Sequence, residues 1–120
     1  MKKMNRIRFE ELPEFNKDLK RLLKKYRTLE NDLEDIRIAL NIYPNAAPPY
    51  SFRIDGLGIK TCVIKIKKIA SDSFKGKGSN SGFRLIYAYF EEEEKIIFVE
   101  LYHKNDKDVE DRERIVRNFE

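Results

Sequence analysis

The sequence predicts an α+β domain: a short strand, a helical hairpin, an antiparallel sheet of three further strands, and a C-terminal helix. Three observations carry this. Phe15, Leu19, Leu22, Tyr26, Leu29, Leu33, Ile36, Leu40 and Tyr43 recur at alternating spacings of four and three, which is one stripe of a helix. Three later segments, 62–69, 83–90 and 95–102, have the β-branched and aromatic content of strands. Helical signals return only near the end, and runs of one element type followed by runs of another indicate an antiparallel sheet with segregated helices.

Composition sets the frame. A chain of 120 residues supports one core, so residues 1–120 are expected to form a single domain. Hydrophobic residues at 41% and charged residues at 38% describe a charged globular protein rather than a disordered one. Cys62 is the only cysteine, which excludes an internal disulfide; with one histidine in the chain, no metal site is expected. The basic start Met1–Arg6 leads into no apolar stretch, and no run approaches the ~20 residues that cross a bilayer. A cytoplasmic location without membrane contact is expected. The net charge of +4 says little about partners, but its distribution says more. Between Tyr50 and Phe90, Arg53, Lys60, Lys65, Lys67, Lys68, Lys75, Lys77 and Arg84 stand against only Asp55 and Asp72, which favours a local anion site.

The elements follow in order. Arg6–Phe9 alternates and reads as a short edge strand. Read as one rod, the stripe from Phe15 to Tyr43 would be about 43 Å long at ~1.5 Å per residue. A domain of this size is only ~35 Å across. A hairpin broken near Arg27–Thr28 resolves the conflict, with Thr28 capping the second helix and Glu30 and Asp32 in its first turn. One long helix forming a homodimer with a second copy is the alternative. Pro44, Pro48 and Pro49 end the helical stretch. Residues 45–60 read as a connection. In Cys62–Ile69, Ile64 and Ile66 alternate with Lys65 and Lys67, a half-buried strand with a lysine face. Residues 70–82 show no periodicity and read as a mobile loop. Phe83–Phe90 and Lys95–Tyr102 are apolar on both faces, as central strands covered on each side are, and Glu91–Glu94 joins them in a hairpin. A last helix is expected from Asn105 or Asp106, acidic early and basic late, anchored by Val109, Val116 and Phe119.

The functional signal centres on the basic, Gly/Ser-rich loop that runs into Gly82-Phe83-Arg84. An arginine opening a buried strand puts a fixed cation at a sheet edge, which suits phosphate. Lys75-Gly76-Lys77-Gly78-Ser79 is not a nucleotide-binding loop, because the first glycine is missing and Gly78 stands where Ser or Thr should follow the lysine. Plainer readings exist. Lys65 and Lys67 also suit a solvated strand face, Arg84 can pair with Glu100, and a lone histidine such as His103 is often structural.

In element order over nearly the whole chain the sequence resembles the RelE/ParE superfamily of toxin–antitoxin toxins, nearest to its RelE/HigB-type branch of ribosome-dependent mRNA endonucleases. The residues that carry the resemblance are Lys65-Ile66-Lys67, Gly76-Lys77, Gly82-Phe83-Arg84-Leu85-Ile86-Tyr87 and Leu101-Tyr102-His103-Lys104. It implies a concave sheet that cups messenger RNA on the ribosome, a cognate antitoxin that covers this surface, and no cofactor. Cleavage would proceed by attack of a ribose 2′-OH on the adjacent phosphate, which needs a proton acceptor, a proton donor and cations. By this resemblance Lys65 and Lys67 bind phosphate, or one acts as base if neighbouring cations depress its pKa. Arg84 clamps the scissile phosphate through its planar fork, and His103 transfers a proton. Lys68, Lys75, Lys77 and Lys104 add phosphate contacts, and Tyr102 stacks on a base. Which group is acid and which is base is open, and the loop Ser71–Ser81 is longer than the family's usual one. The alternatives are a ParE-like, non-catalytic inhibitor of DNA gyrase, and a degenerate toxin or interaction module.

Overall fold

The computed structural model describes residues 6–74 and 76–120, so Met1–Asn5 and the candidate phosphate ligand Lys75 lie outside the described residues. The elements are β1 (Arg8–Glu11), α1 (Pro13–Leu23), α2 (Leu29–Ile42), β2 (Ser51–Arg53), β3 (Cys62–Ile66), β4 (Phe83–Phe90), β5 (Lys95–His103) and α3 (Arg112–Phe119). They build the expected α+β architecture around one sheet ordered β1-β5-β4-β3-β2. Neighbours pair antiparallel except β1 and β5, which run parallel. One strand is additional. β2 lies inside the segment read as a connection, and three residues are too few to display an alternation.

The helical stripe breaks where its length requires. The molecule measures 39 × 37 × 27 Å, so an unbroken rod of about 43 Å would overhang it. Folded into a hairpin, the stripe buries Phe15, Leu19, Leu22, Leu29, Leu33 and Leu40 against Ile64, Ile66, Leu85, Tyr87 and Phe98. Each such side chain contributes about 1.5–3 kcal/mol on burial. The surface that would have served as a seam between two chains is thus used on the chain's own sheet.

Thr28 stands at the predicted cap position, but its hydroxyl caps no backbone group. It donates instead to the buried carboxylate of Asp32 at 2.9 Å. Asp32 also accepts from the Ser71 hydroxyl at 2.5 Å and from the Asp72 amide at 3.3 Å. The segment expected to be mobile is therefore tied to the helical turn at its start. Its far end is tied to the segment just after β3 through a bridge between Ile69 and Asn80.

The second sheet face is also covered, as two-sided apolar strands predict. Val63, Ile86, Ala88, Val99 and Tyr102 pack beneath Ile115 of α3, with Leu57 and Ile59 at the margin. This helix starts later than its charge pattern suggested. Asp111 caps it by accepting from the Arg114 amide at 3.1 Å, and Glu110 before it pairs with Lys65 instead. Its anchor is Ile115, fully buried, whereas Val109 is exposed. On the other side β1 ends opposite Phe98, which leaves the β5 edge unpaired beyond it. Asp18 of α1 fills that gap, accepting from the Leu101 amide at 3.1 Å and from Arg114 at 2.7 Å.

Candidate nucleic-acid interface

The site lies where three strand ends meet: the exit of β3, the start of β4 and the end of β5. Phe83 pairs with His103 and Arg84 with Tyr102. Just before β4, Gly82 has φ +96°, and a Cβ there would lie 2.6 Å from His103 Nε2. Only glycine allows that conformation and that approach together. The space is filled by the imidazole. His103 Nε2 donates to the Ser81 carbonyl at 2.8 Å, because Nδ1 accepts from the Asn105 amide at 3.1 Å. Those partners assign a neutral ring with its proton on Nε2. Tyr26 and Phe74 stack on it at 5.7 and 5.2 Å, and Phe83 meets it edge-on at 5.0 Å.

His103 is therefore walled into the core, 2% exposed, with both nitrogens engaged. In this structure the ring expected to transfer a proton is enclosed and hydrogen-bonded on both sides, placed to hold the turn rather than to face the cleft. Through the Ser81 carbonyl it fixes the turn into β4. The Ser81 hydroxyl in turn donates to the Ile69 carbonyl at 2.5 Å, which fixes the exit of β3. Lys104, next along β5, donates its amide to the Gly82 carbonyl at 2.9 Å.

The result is a cleft of about 340 Å³ lined by Lys67, Lys68, Arg84 and Lys104, together with Phe52, Asn80, Gly82 and Pro49. Arg84 Nη1 donates to the carbonyls of Lys67 at 3.1 Å and Phe83 at 3.3 Å, which orients the guanidinium. Lys68 Nζ donates to Asn80 Oδ1 at 3.3 Å, and the Lys67 ammonium sits 5.9 Å from the Phe52 ring centre. No carboxylate among the described residues lines the cleft. Among the described residues none of these four cations forms an ion pair, and Arg84 does not meet Glu100. Four positive charges around one hollow, none of them in an ion pair among the described residues, suit a polyanion, with one planar fork and three ammoniums.

The other expected site residues lie elsewhere. Lys65 Nζ is 3.0 Å from Glu110 Oε1, and its side chain is 17% exposed. Burial opposes its charge, but the adjacent Tyr102 hydroxyl and Glu110 carboxylate outweigh this and raise its pKa above the usual lysine value. A base would need the opposite shift. Tyr102 is buried, with the Lys65 and Lys107 ammoniums 5.8 and 5.1 Å from its ring centre, so no face is offered to a base. Its hydroxyl is close enough to Lys65 for electrostatic contact, yet has no hydrogen-bond partner among the described residues. Lys77 is exposed, outside the cleft lining. The sequence reading missed Phe52 and Asn80. Neither sits in a periodic pattern, and only the cleft itself reveals them.

A larger, open hollow of about 640 Å³ runs along α3, lined by Arg112, Glu113, Val116, Arg117 and Glu120. Its charges are mixed and do not converge, so the cationic cleft is the better candidate. Among the described residues no group of three or more His, Cys, Asp or Glu is placed to hold a metal ion. None of their helices is long and apolar enough to cross a membrane.

Fold and cleft together define a small α+β protein with a cationic groove at one end of its sheet. No family model and no curated protein sequence matches the chain. Solved structures do. A chain of the archaeal RelE–RelB complex from Pyrococcus horikoshii OT3 superposes with a TM-score of 0.57 at 13% identity, covering 85% of this chain and 99% of that one. A metal-bound toxin from Helicobacter pylori gives 0.54 at 17% identity, covering 83% and 97%. A mutant of the E. coli toxin RelE in the free state gives 0.50 at 16% identity, covering 82% and 84%. The chain has the RelE-like toxin fold.

Proposed function

We propose that this protein is the toxin of a toxin–antitoxin system and that its cleft holds messenger RNA on the ribosome for cleavage. The observation that carries the reading is the convergence of Lys67, Lys68, Arg84 and Lys104, unpaired, in one carboxylate-free cleft on a RelE-like fold. The partner follows from the same likeness: one structural neighbour comes from a RelE–RelB complex, and a cognate antitoxin covering the cleft would neutralise its charge.

In the proposed reaction a ribose 2′-OH attacks the adjacent phosphate, and the 5′-oxygen leaves. The fork of Arg84 binds the non-bridging oxygens, where negative charge grows in the transition state. Lys67 and Lys68 hold that phosphate and its neighbour. Arginine does not release its proton, so protonation of the 5′-oxygen falls to a lysine ammonium of the cleft. The lining supplies no carboxylate or imidazole to take the 2′-OH proton, which therefore passes to solvent or to a phosphate oxygen. Electrostatic stabilisation and positioning then supply most of the acceleration.

That same lack of an imidazole or carboxylate favours a second reading, a non-catalytic inhibitor of DNA gyrase. Induced expression in bacteria with primer extension on a translated message separates the two. The mRNA reading expects growth arrest with new 5′ ends, reduced about 100-fold or more by Arg84→Ala. Arg84→Lys should be nearly as damaging, because an ammonium cannot replace the planar fork. Arrest with DNA damage and intact messages would establish the gyrase reading. Normal growth would reject both.

A further inference from the structure

Phe52 is 40% exposed on the edge strand β2, beside Lys65 in register and against the Lys67 ammonium. A single exposed aromatic is ordinary on a protein surface. This one lines the same hollow as four unpaired cations, on an edge strand of the sheet. A ligand that satisfies both features carries phosphates and an accessible π-face. Duplexes hide base faces within the stack, so the matching ligand is a single strand with an unstacked base.

The spacing fits. β2 lies two strands from β4, roughly 10 Å at ~4.8 Å per strand. Neighbouring nucleotides of one extended strand can therefore contact Phe52 and Arg84 together. We propose that Phe52 is the platform on which one unpaired base of the bound RNA stacks, while the adjoining phosphate sits on Arg84 and Lys67. In the unliganded protein Lys67 occupies the ring by a cation–π contact. A phosphate draws that ammonium away, and the base takes its place. This inference rests on the RNA reading of the cleft and adds to it the part of the nucleotide that is recognised. β2 is too short to be read from sequence, so the residue emerges only in three dimensions.

The test uses the full chain and a short fluorescent 2′-O-methyl oligoribonucleotide, which lacks the attacking hydroxyl and stays intact. Its abasic counterpart keeps the phosphates and loses the bases. The wild type should bind the base-bearing strand more tightly than the abasic one. Phe52→Leu should lose about 5- to 150-fold on the base-bearing strand, as expected for one stacked base, with the abasic strand unaffected. Tyr50→Leu, at an exposed aromatic outside the cleft lining, should change neither. The chain contains no tryptophan, so Phe52→Trp introduces its only indole. That variant should lose emission on the base-bearing strand alone. Equal binding of both strands by wild type and Phe52→Leu overturns the stacking inference. If Arg84→Ala still weakens both strands, the RNA reading survives. No binding of either strand by the wild type overturns the two together.

Discussion

Gly82 and His103 share one volume. A methyl group at Gly82 would lie 2.6 Å from Nε2 and 2.9 Å from Cε1 of the ring, on a backbone at φ +96°. Gly82→Ala must therefore displace the imidazole, break its hydrogen bond to the Ser81 carbonyl, and hold a strained φ worth about 1–3 kcal/mol. His103→Ala removes a ring packed against both Tyr26 and Phe74 and strands the Ser81 carbonyl and Asn105 amide, a loss of about 3–5 kcal/mol. Because both act on one contact, their costs should not add. The double variant is expected to be more stable than the sum of the singles predicts, by about 1 kcal/mol or more in urea unfolding. Additive costs would show that the clash is relieved elsewhere. These residues also show what a sequence can say about a site. Gly82-Phe83-Arg84 is legible because strand alternation sends Phe83 to the core and Arg84 to the other face. His103-Lys104 is legible only as a pair of polar types. The sequence does not show that one is sealed in an aromatic cage while the other lines the cleft. Phe52 gave no signal at all, because its value lies in neighbours from β3 and β4.

At the scale of elements, α3 is held over the sheet by two buried carboxylates, Glu110 just before the helix and Glu100 on β5. Glu110 accepts from Lys65 Nζ at 3.0 Å and from Arg112 Nε at 3.1 Å; Glu100 accepts from the Asp111 amide at 2.8 Å and pairs with Lys107. Burial opposes the Glu110 charge, but the Lys65 ammonium and the Arg112 guanidinium outweigh it and lower its pKa. A carboxylate with a lowered folded pKa stabilises the fold above its ordinary value of about 4.3, and that stability is lost as pH falls through the lower folded value. Urea midpoints should therefore drop between about pH 5 and pH 2, and Glu110→Gln should flatten part of that drop. An identical pH profile in the variant would show that Glu110 does not couple α3 to the sheet. The same contacts explain why the start of α3 was misread. Early acids and late bases mark a helix dipole, yet Glu110 is committed to Lys65, and the helix waits for Asp111 to cap it. The helical hairpin was legible for the converse reason. Its stripe is long and unbroken in period, and the size of the domain leaves a hairpin or a rod shared with a second copy, between which burial on the chain's own sheet decides.

At the scale of the whole molecule, a net charge of +4 is modest, but four cations in one carboxylate-free cleft concentrate a comparable charge at a single place. Glu91–Glu94 stand at the far end of the β4–β5 hairpin, and Asp32 and Asp35 of α2 share a neighbouring hollow with Lys68 but do not line the cleft. Such partition leaves the cleft as the place where a polyanion displaces counterions. Each neutralised phosphate of a single strand contributes about −0.7 to the slope of log K against log salt. If all four cations contact phosphate, the slope for a single-stranded oligoribonucleotide should be roughly −2.8, read by fluorescence anisotropy between about 50 and 300 mM salt. Lys67→Gln and Lys104→Gln should each bring it about 0.7 closer to zero. Lys65→Gln removes a charge of the same type from the adjacent strand, but one already neutralised by Glu110, so the slope should stay unchanged. Equal effects from Lys65→Gln and Lys67→Gln would mean that RNA reaches the Lys65–Glu110 pair and that the binding surface extends beneath α3. A flat salt response of the wild type would remove phosphate as the ligand of the cleft.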